Sequence, residues 1–480
     1  MSAQEENPTY IYRTFSWLSL NQFNSWWQTS YNNSLFFAPV NKLFSAIRQF
    51  FESKTGTKPG DILQNLSLVV SLLLMLTLGL PQFANDKIGL ALISTSALVL
   101  WIAGYLIGGS QKRKLDVVDF IVILYLCTNV IATFASHYFM PSVKGLSKVV
   151  VYIGSYFLFS TLAQKNRKSS IYLLSSVVIT GVALSLHGLY QYKTGVAPLA
   201  TWEDPDVLTK STRIYSTLGN PNLLAGFLIP IAPLALGLAS SALAQKKWVP
   251  SLILYIGTAL ISLACILTGS RGGYLGLAAT IATFALPAFC LLWQKKKKAR
   301  PYMVVFAVLA IVGTAFALTQ IPAFKTRVAS IFAGREHSSN SYRLNVWESS
   351  FEMFKDNWWF GSGVGNETFR LAYGLYMVSG YDALGTYCVP LEILVECGVF
   401  GFLVFLTLIV CLMARAHIGF WSDESGHNRW IYLGLAAAII GLMTHGVVDT
   451  VFYRPQVHFI FWLIVGILAM FPKKSDSLNS

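Results

Sequence analysis

From residue 62 onward, long apolar runs alternate with short polar connections, near 62–81, 88–108, 117–137, 147–163, 170–191, 222–243, 249–268, 273–293, 302–320, 389–413, 430–446 and 456–471. Most of these runs approach the roughly 20 residues that a helix needs to cross bilayer hydrocarbon. The last is short, and Pro455 marks its expected start. The pattern predicts an all-α polytopic membrane protein of about 12 transmembrane helices. The expected divisions are an N-terminal segment over 1–61, spans over 62–320, an external loop over 321–388, further spans over 389–471 and a tail over 472–480.

The stretch 321–387 is the one long polar segment between two apolar runs. In a chain of short connections, a loop of this length is more often a lid or binding element than a plain linker. Within it, Trp347, Phe351 and Phe354 recur at helical spacing, which predicts a short amphipathic helix on the membrane over 341–360, anchored by Trp358 and Trp359. Gly361-Ser-Gly-Val-Gly365-Asn366 follows and permits a helix stop with a sharp reversal. No predicted strand precedes these glycines, so a dinucleotide-binding loop is excluded. A structural turn and a backbone nest for phosphate both fit. Ahead of the first span, Trp17, Trp26, Trp27, Phe36, Phe37, Phe44, Phe50 and Phe51 suit a segment lying in the headgroup layer. No early apolar run ends in a small-residue cleavage site, so the first span is expected to act as an uncleaved anchor.

Composition agrees with this pattern. With 54% apolar and 12% charged residues, the chain has too little polar surface for a soluble protein of its length. The cysteines Cys127, Cys265, Cys290, Cys388, Cys397 and Cys411 are scattered without metal-ligand spacing. No metal, cofactor or nucleic-acid partner is expected.

Charge sets the orientation. Lys112, Arg113 and Lys114, then Lys165, Arg167 and Lys168, then Lys246 and Lys247, then Lys295–Lys298 and Arg300 all follow even-numbered runs. Arg415, Arg429, Lys473 and Lys474 keep the same parity. The positive-inside rule therefore predicts cytoplasmic termini and an outward-facing 321–387 segment. The plasma membrane is the expected location, with the thylakoid left open.

Against that rule, Arg213, Arg271, Arg343 and Arg454 lie on the predicted outer side, in or beside four different loops. Arg271 sits in the turn Leu267-Thr-Gly-Ser-Arg-Gly-Gly-Tyr274 between two apolar runs. A cation so placed needs a partner or a polar cavity, and the guanidinium fork matches phosphate or carboxylate oxygens. An internal partner such as Glu396, or lipid phosphates, is the structural alternative. Asn220-Pro221-Asn222 reads as a capped helix start whose exposed N–H groups could hold an anion near Arg213. His445 and Asp449, four apart at the end of the eleventh run, are expected on one helix face, either as a general base with its carboxylate or as a packing pair. His137, His187, His337 and His458 suggest no role.

In their order, Ser216–Ala225, Thr268–Gly273, Arg343 with Trp347, Gly361/Gly363/Gly365-Asn366, Glu392, Glu396-Cys-Gly398 and His445…Asp449 resemble the O-antigen ligase and polymerase superfamily. Within it the chain is most similar to the cyanobacterial IctB proteins, described as inorganic-carbon (bicarbonate) transporters. The resemblance implies a GT-C-like bundle whose outer face binds a polyprenyl-diphosphate-linked glycan and transfers it to an acceptor sugar without metal or nucleotide. It would have Arg213 and Arg271 hold the diphosphate; Asn220, Asn222, Arg343, Arg454 and Glu396 are further candidate substrate-binding residues, and His445 with Asp449 is the candidate catalytic pair. One position departs: the ligases carry a His-Asn pair where this chain has Tyr387-Cys388. Tyrosine, with a pKa near 10, is a poor base at neutral pH. Transfer of a lipid-linked glycan, transport of a small anion such as bicarbonate, and a non-catalytic membrane scaffold therefore all follow from the resemblance. A coupled transporter is expected to show ionisable groups or broken helices near the bilayer midplane, and the sequence predicts few.

Overall fold

The structure, a computed structural model, describes residues 7–470 except 81–86, 111–112, 197–212, 321–324, 326–327, 333, 337 and 424. Lys112, His337, Lys473, Lys474, the first residues of the external segment and the 472–480 tail lie outside the described residues.

The described chain is all-helical. Three helices form the N-terminal segment: α1 (Asn7–Leu18), α2 (Asn24–Asn33) and α3 (Phe37–Thr55). The predicted apolar runs then appear as α4 (Lys58–Thr77), α5 (Lys87–Leu106), α6 (Val117–Ala135), α7 (Phe139–Lys165), α8 (Arg167–Thr194), α9 (Pro221–Ala244), α10 (Trp248–Leu267), α11 (Arg271–Lys295) and α12 (Arg300–Gln320). The segment read from the sequence as external holds α13 (Ser338–Asp356) and α14 (Asn366–Tyr373), and α15 (Val389–Ser422), α16 (Asn428–Gly446) and α17 (Pro455–Met470) complete the fold. Among the described residues nine helices are long and apolar enough to cross a membrane, namely α4 through α11 and α15. The chain is an all-α polytopic membrane protein.

Helix starts follow local chemistry. Asp116 caps α6 in a reciprocal box with Asp119, and Asn166, Asn220 and Ser270 cap α8, α9 and α11. At the centre is α9, with 94% of its most apolar window covered by protein. It meets α16 backbone to backbone, since a Cβ on Gly237 would stand 2.6 Å from the Trp430 carbonyl oxygen and one on Gly434 2.6 Å from that of Pro233. Small residues at such crossings let helices approach closely in a membrane.

Polar contacts sort the helix ends into two groups. At one end Lys165 donates to Asn65 (2.7 Å), Arg415 pairs with Asp116 (2.6 Å), Arg113 pairs with Asp119, and Arg167 meets His427 (2.8 Å). At the other, Thr217 donates to the Gly79 carbonyl (2.6 Å), Ser136 to that of Ser362 (2.6 Å), and Arg343 faces Asp449. The basic connections thus gather opposite the external segment. The N-terminal segment wraps the basic end, with Asn24 accepting from the Val117 N–H (2.7 Å) and Arg48 donating to the Gly109 carbonyl (3.0 Å). Trp17, Leu35, Phe36 and Phe50 remain exposed on it.

The external segment differs from its sequence reading by a second helix, α14, and by its own small core of Val346, Met353, Phe369 and Tyr373. A larger difference lies in α15, which breaks at Gly398 (φ 66°, ψ −171°). The glycine-rich stretch docks into that break. Ser362 N–H donates to the Val395 carbonyl (2.8 Å), Gly363 N–H to that of Glu396 (3.2 Å), and Val399 N–H to that of Trp358 (2.8 Å). A Cβ on Gly361 would stand 2.3 Å from the Glu396 carbonyl oxygen, and one on Gly398 2.2 Å from that of Trp359. Both positions also have positive φ, so glycine is required twice over.

Candidate functional site

The Thr268–Gly273 turn is built from its own side chains. Thr268 Oγ1 accepts from the Ser270 N–H (3.2 Å), Ser270 Oγ accepts from Gly273 (3.2 Å), and Gly269 takes φ 62°. Arg213 lies across this turn, its Nε donating to the Thr268 carbonyl (2.9 Å) and its terminal nitrogen to Asn222 Oδ1 (3.3 Å). The loop carrying Arg213 is held from behind by Gln191. That side chain accepts from the Tyr215 and Ser216 N–H groups (3.2 and 2.7 Å) and donates to the Ser216 carbonyl (3.1 Å). Asn220 caps α9 as the sequence suggests, accepting from Asn222 (2.8 Å) and Leu223 (3.2 Å).

Arg271 opens α11 and donates to the Ser330 carbonyl (3.0 Å), which also accepts from Asn340 (3.1 Å). These contacts tie the external segment to the turn. One helical turn beyond Asn340, Arg343 donates to Ser339 Oγ (3.1 Å) and stands 3.7 Å from Asp449 Oδ2. The Arg343 Nε is buried without a partner among the described residues.

His445 is 1% exposed in the last turn of α16. Its ring occupies a slot left by two glycines: a Cβ on Gly226 would stand 3.2 Å from Cε1, and one on Gly272 2.9 Å from Cδ2. Neither ring nitrogen has a partner among the described residues. The expected common face with Asp449 is not formed, because α16 ends at Gly446 and Asp449 lies in the turn beyond it. There its Oδ1 accepts from the Val451 N–H (3.2 Å) and its Oδ2 faces Arg343. The carboxylate therefore faces the arginine and holds the turn, and it makes no hydrogen bond to the imidazole.

Contacts thus run from Arg213 through the 268–273 turn, Arg271, Ser330, Asn340, Arg343 and Asp449, and His445 packs back onto Gly272. Glu396 and Arg454 stand apart from this ring. Glu396, 6% exposed on α15, accepts from the Gly365 N–H (2.6 Å) and so holds the glycine-rich stretch. Arg454 is exposed and makes no side-chain hydrogen bond or ion pair among the described residues. Tyr387 takes a left-handed conformation (φ 56°), with Glu392 accepting from the adjacent Thr386 N–H (2.5 Å). Its ring packs edge-on to Tyr342 at 5.7 Å. Burial, and then Tyr387 beside it, push the Tyr342 phenol well above its ordinary range.

Sequence reasoning missed Gln191, Ser330 and Asn340, which act through backbone carbonyls and N–H groups that no spacing rule reveals. Gly272 lay inside the 268–273 motif and Gly226 directly follows the 216–225 motif; the signal at both was the missing side chain itself.

Residues 256–406 match the family model for O-antigen ligase, which supports the superfamily read from the motifs. The matched stretch holds Arg271, Arg343 and Glu396 and passes the break at Gly398. Arg213, Asn220, Asn222, His445, Asp449 and Arg454 fall outside it. No curated protein matches the chain.

Proposed function

We propose that the protein binds a polyprenyl-diphosphate-linked glycan at its outer face and transfers the glycan to an acceptor sugar. One observation carries this reading: arginines from separate loops converge at the end of the bundle opposite the basic connections, around a buried imidazole with two open nitrogens. In the reaction the acceptor hydroxyl attacks the anomeric carbon, the bond from that carbon to the phosphate oxygen breaks, and the polyprenyl diphosphate leaves. Charge grows on the leaving diphosphate, where the forks of Arg213 and Arg271 stabilise it. Asn220, Asn222, Arg343 and Arg454 would line the donor site, and Glu396 would hold the loop beside it. His445 is proposed to take the acceptor proton, which requires Arg343 to swing away from Asp449 so that substrate reaches the ring.

The proposed topology has twelve crossings in a GT-C-like bundle, with α12, α16 and α17 completing the set and both termini cytoplasmic, in the plasma membrane. The proposed kinship is with the IctB type. A second reading, transport of a small anion such as bicarbonate, is favoured by the break in α15, because discontinuous helices build ion sites in transporters. Purified protein given a lipid-linked donor and an acceptor distinguishes the two. Transfer of glycan supports the first reading; absence of turnover, with uptake of labelled bicarbonate into proteoliposomes, replaces it with the second.

A further inference from the structure

The geometry points to a binding site for one acyl chain of a membrane phospholipid at the basic end, in a groove between the N-terminal segment, α6 and α15. The groove encloses about 420 Å³. Leu20, Phe23 and Trp26 form one wall, Phe120 and Leu124 of α6 a second, and Leu403 of α15 a third. The polar side chain that lines it, Thr407, spends its hydroxyl on the Leu403 carbonyl (2.8 Å).

The wall made by residues 20–26 is fixed in place. The Ser19 carbonyl accepts from Arg415 Nε (3.3 Å) and from Cys411 Sγ (3.2 Å), and Leu20 follows at φ 55°, turning the chain. On its far side Asn24 holds the first N–H of α6, and Trp26 stands edge-on to Phe120 at 5.7 Å. The segment is thus anchored at both flanks without closing the space between them.

The occupant follows from the location. Both α6 and α15 are membrane spans, and the groove runs from Val117 at the first turn of α6 to Leu124 two turns deeper. That depth is roughly 10 Å at the helical rise, which reaches past the headgroups into hydrocarbon. Phe23 and Trp26, in the wall made by the N-terminal segment, are aromatic residues of the kind that sit at headgroup level. Acyl chain is the material a bilayer supplies there, and the lining offers nothing to a polar ligand.

The test uses the full chain in phospholipid vesicles containing a phospholipid with a photoreactive group in its acyl chain. Peptide mapping after illumination is expected to show labelling of 117–124 and 403–407 several-fold above that of Leu92 and Val99, which are 62% and 56% exposed on α5. Leu124→Trp, which fills the groove, should bring labelling down to the α5 level. Should that variant not fold, Leu403→Phe fills the groove from the opposite wall and carries the same expectation. Labelling equal to α5 in the unmodified protein, labelling that persists in the filled variant, or cross-links joining two protein copies at the groove would each overturn the assignment. None of these outcomes depends on glycan transfer.

Discussion

The imidazole of His445 lies where the side chain of residue 272 would otherwise be, with its Cδ2 2.9 Å from the position of a Cβ on Gly272. The same Cβ would also stand 2.9 Å from a methyl of Val448. Within a helix, Gly→Ala ordinarily gains up to about 1 kcal/mol. Gly272→Ala should reverse that sign, because overpacking a filled site costs about 1–3 kcal/mol. Thermal unfolding in detergent measures it, and a stabilised variant would mean that the ring is not confined there.

Replacing Arg271 by lysine keeps the charge and removes the fork. The expected result is a strong loss of transfer with normal membrane abundance, since a point charge cannot reproduce the fork that would hold a diphosphate while one arm keeps the Ser330 carbonyl. Unchanged activity would reduce Arg271 to a structural cation.

Arg343 and Asp449 face each other at 3.7 Å, too far for a tight pair but mostly shielded from water. In a double-mutant cycle with Arg343→Gln and Asp449→Asn, neighbours in contact are expected to couple by about 0.5–3 kcal/mol in stability. If the pair also gates access to His445, the single variants should alter turnover as well as stability. Additive effects on both readouts would separate the two residues.

His445→Ala tests the proposed base. Losing a general base typically lowers the rate by about 100- to 10,000-fold, and donor binding should survive because the arginines remain. Tyr387→His, which restores the residue found in the ligases, is expected to recover part of the lost transfer. A His445→Ala protein with full activity removes this residue from the chemistry.

Orientation is open to direct labelling. Cysteines placed at Glu336 and Lys355 should react with an impermeant reagent in intact cells, whereas one at Lys296 should not. Reaction at position 296 from outside would invert the protein and move the arginine ring to the cytoplasm.

Much of the fold was legible because hydrocarbon imposes a length and an apolarity that sequence displays directly. Every predicted apolar run became a helix, and Pro221 and Pro455 begin α9 and α17. The arginines were legible for a related reason: of the four cations that break the charge parity, Arg213, Arg271 and Arg343 have partners, whereas Arg454 is exposed and has no side-chain hydrogen bond or ion pair among the described residues. The pairing of His445 with Asp449 misled because spacing alone does not say where a helix stops. The chain leaves α16 at Gly446, three residues short of the carboxylate. The break in α15 was hidden as well, since Gly398 inside an apolar run reads as a tolerated helix glycine until the docked 361–365 stretch is seen.

That break bears on how the protein is made. The carbonyls of Val395 and Glu396 find their partners in Ser362 and Gly363, which belong to a different part of the chain. Unpaired in lipid, each would cost several kilocalories per mole. The first half of α15 is therefore not a segment that can enter the bilayer finished and wait for its neighbours. Because residues 358–365 precede α15 in the chain, they must be shaped before or as α15 settles, so biogenesis has a fixed order at this point. Variants that delay folding of the external segment should then appear first as failed insertion, before any defect at the arginines is felt.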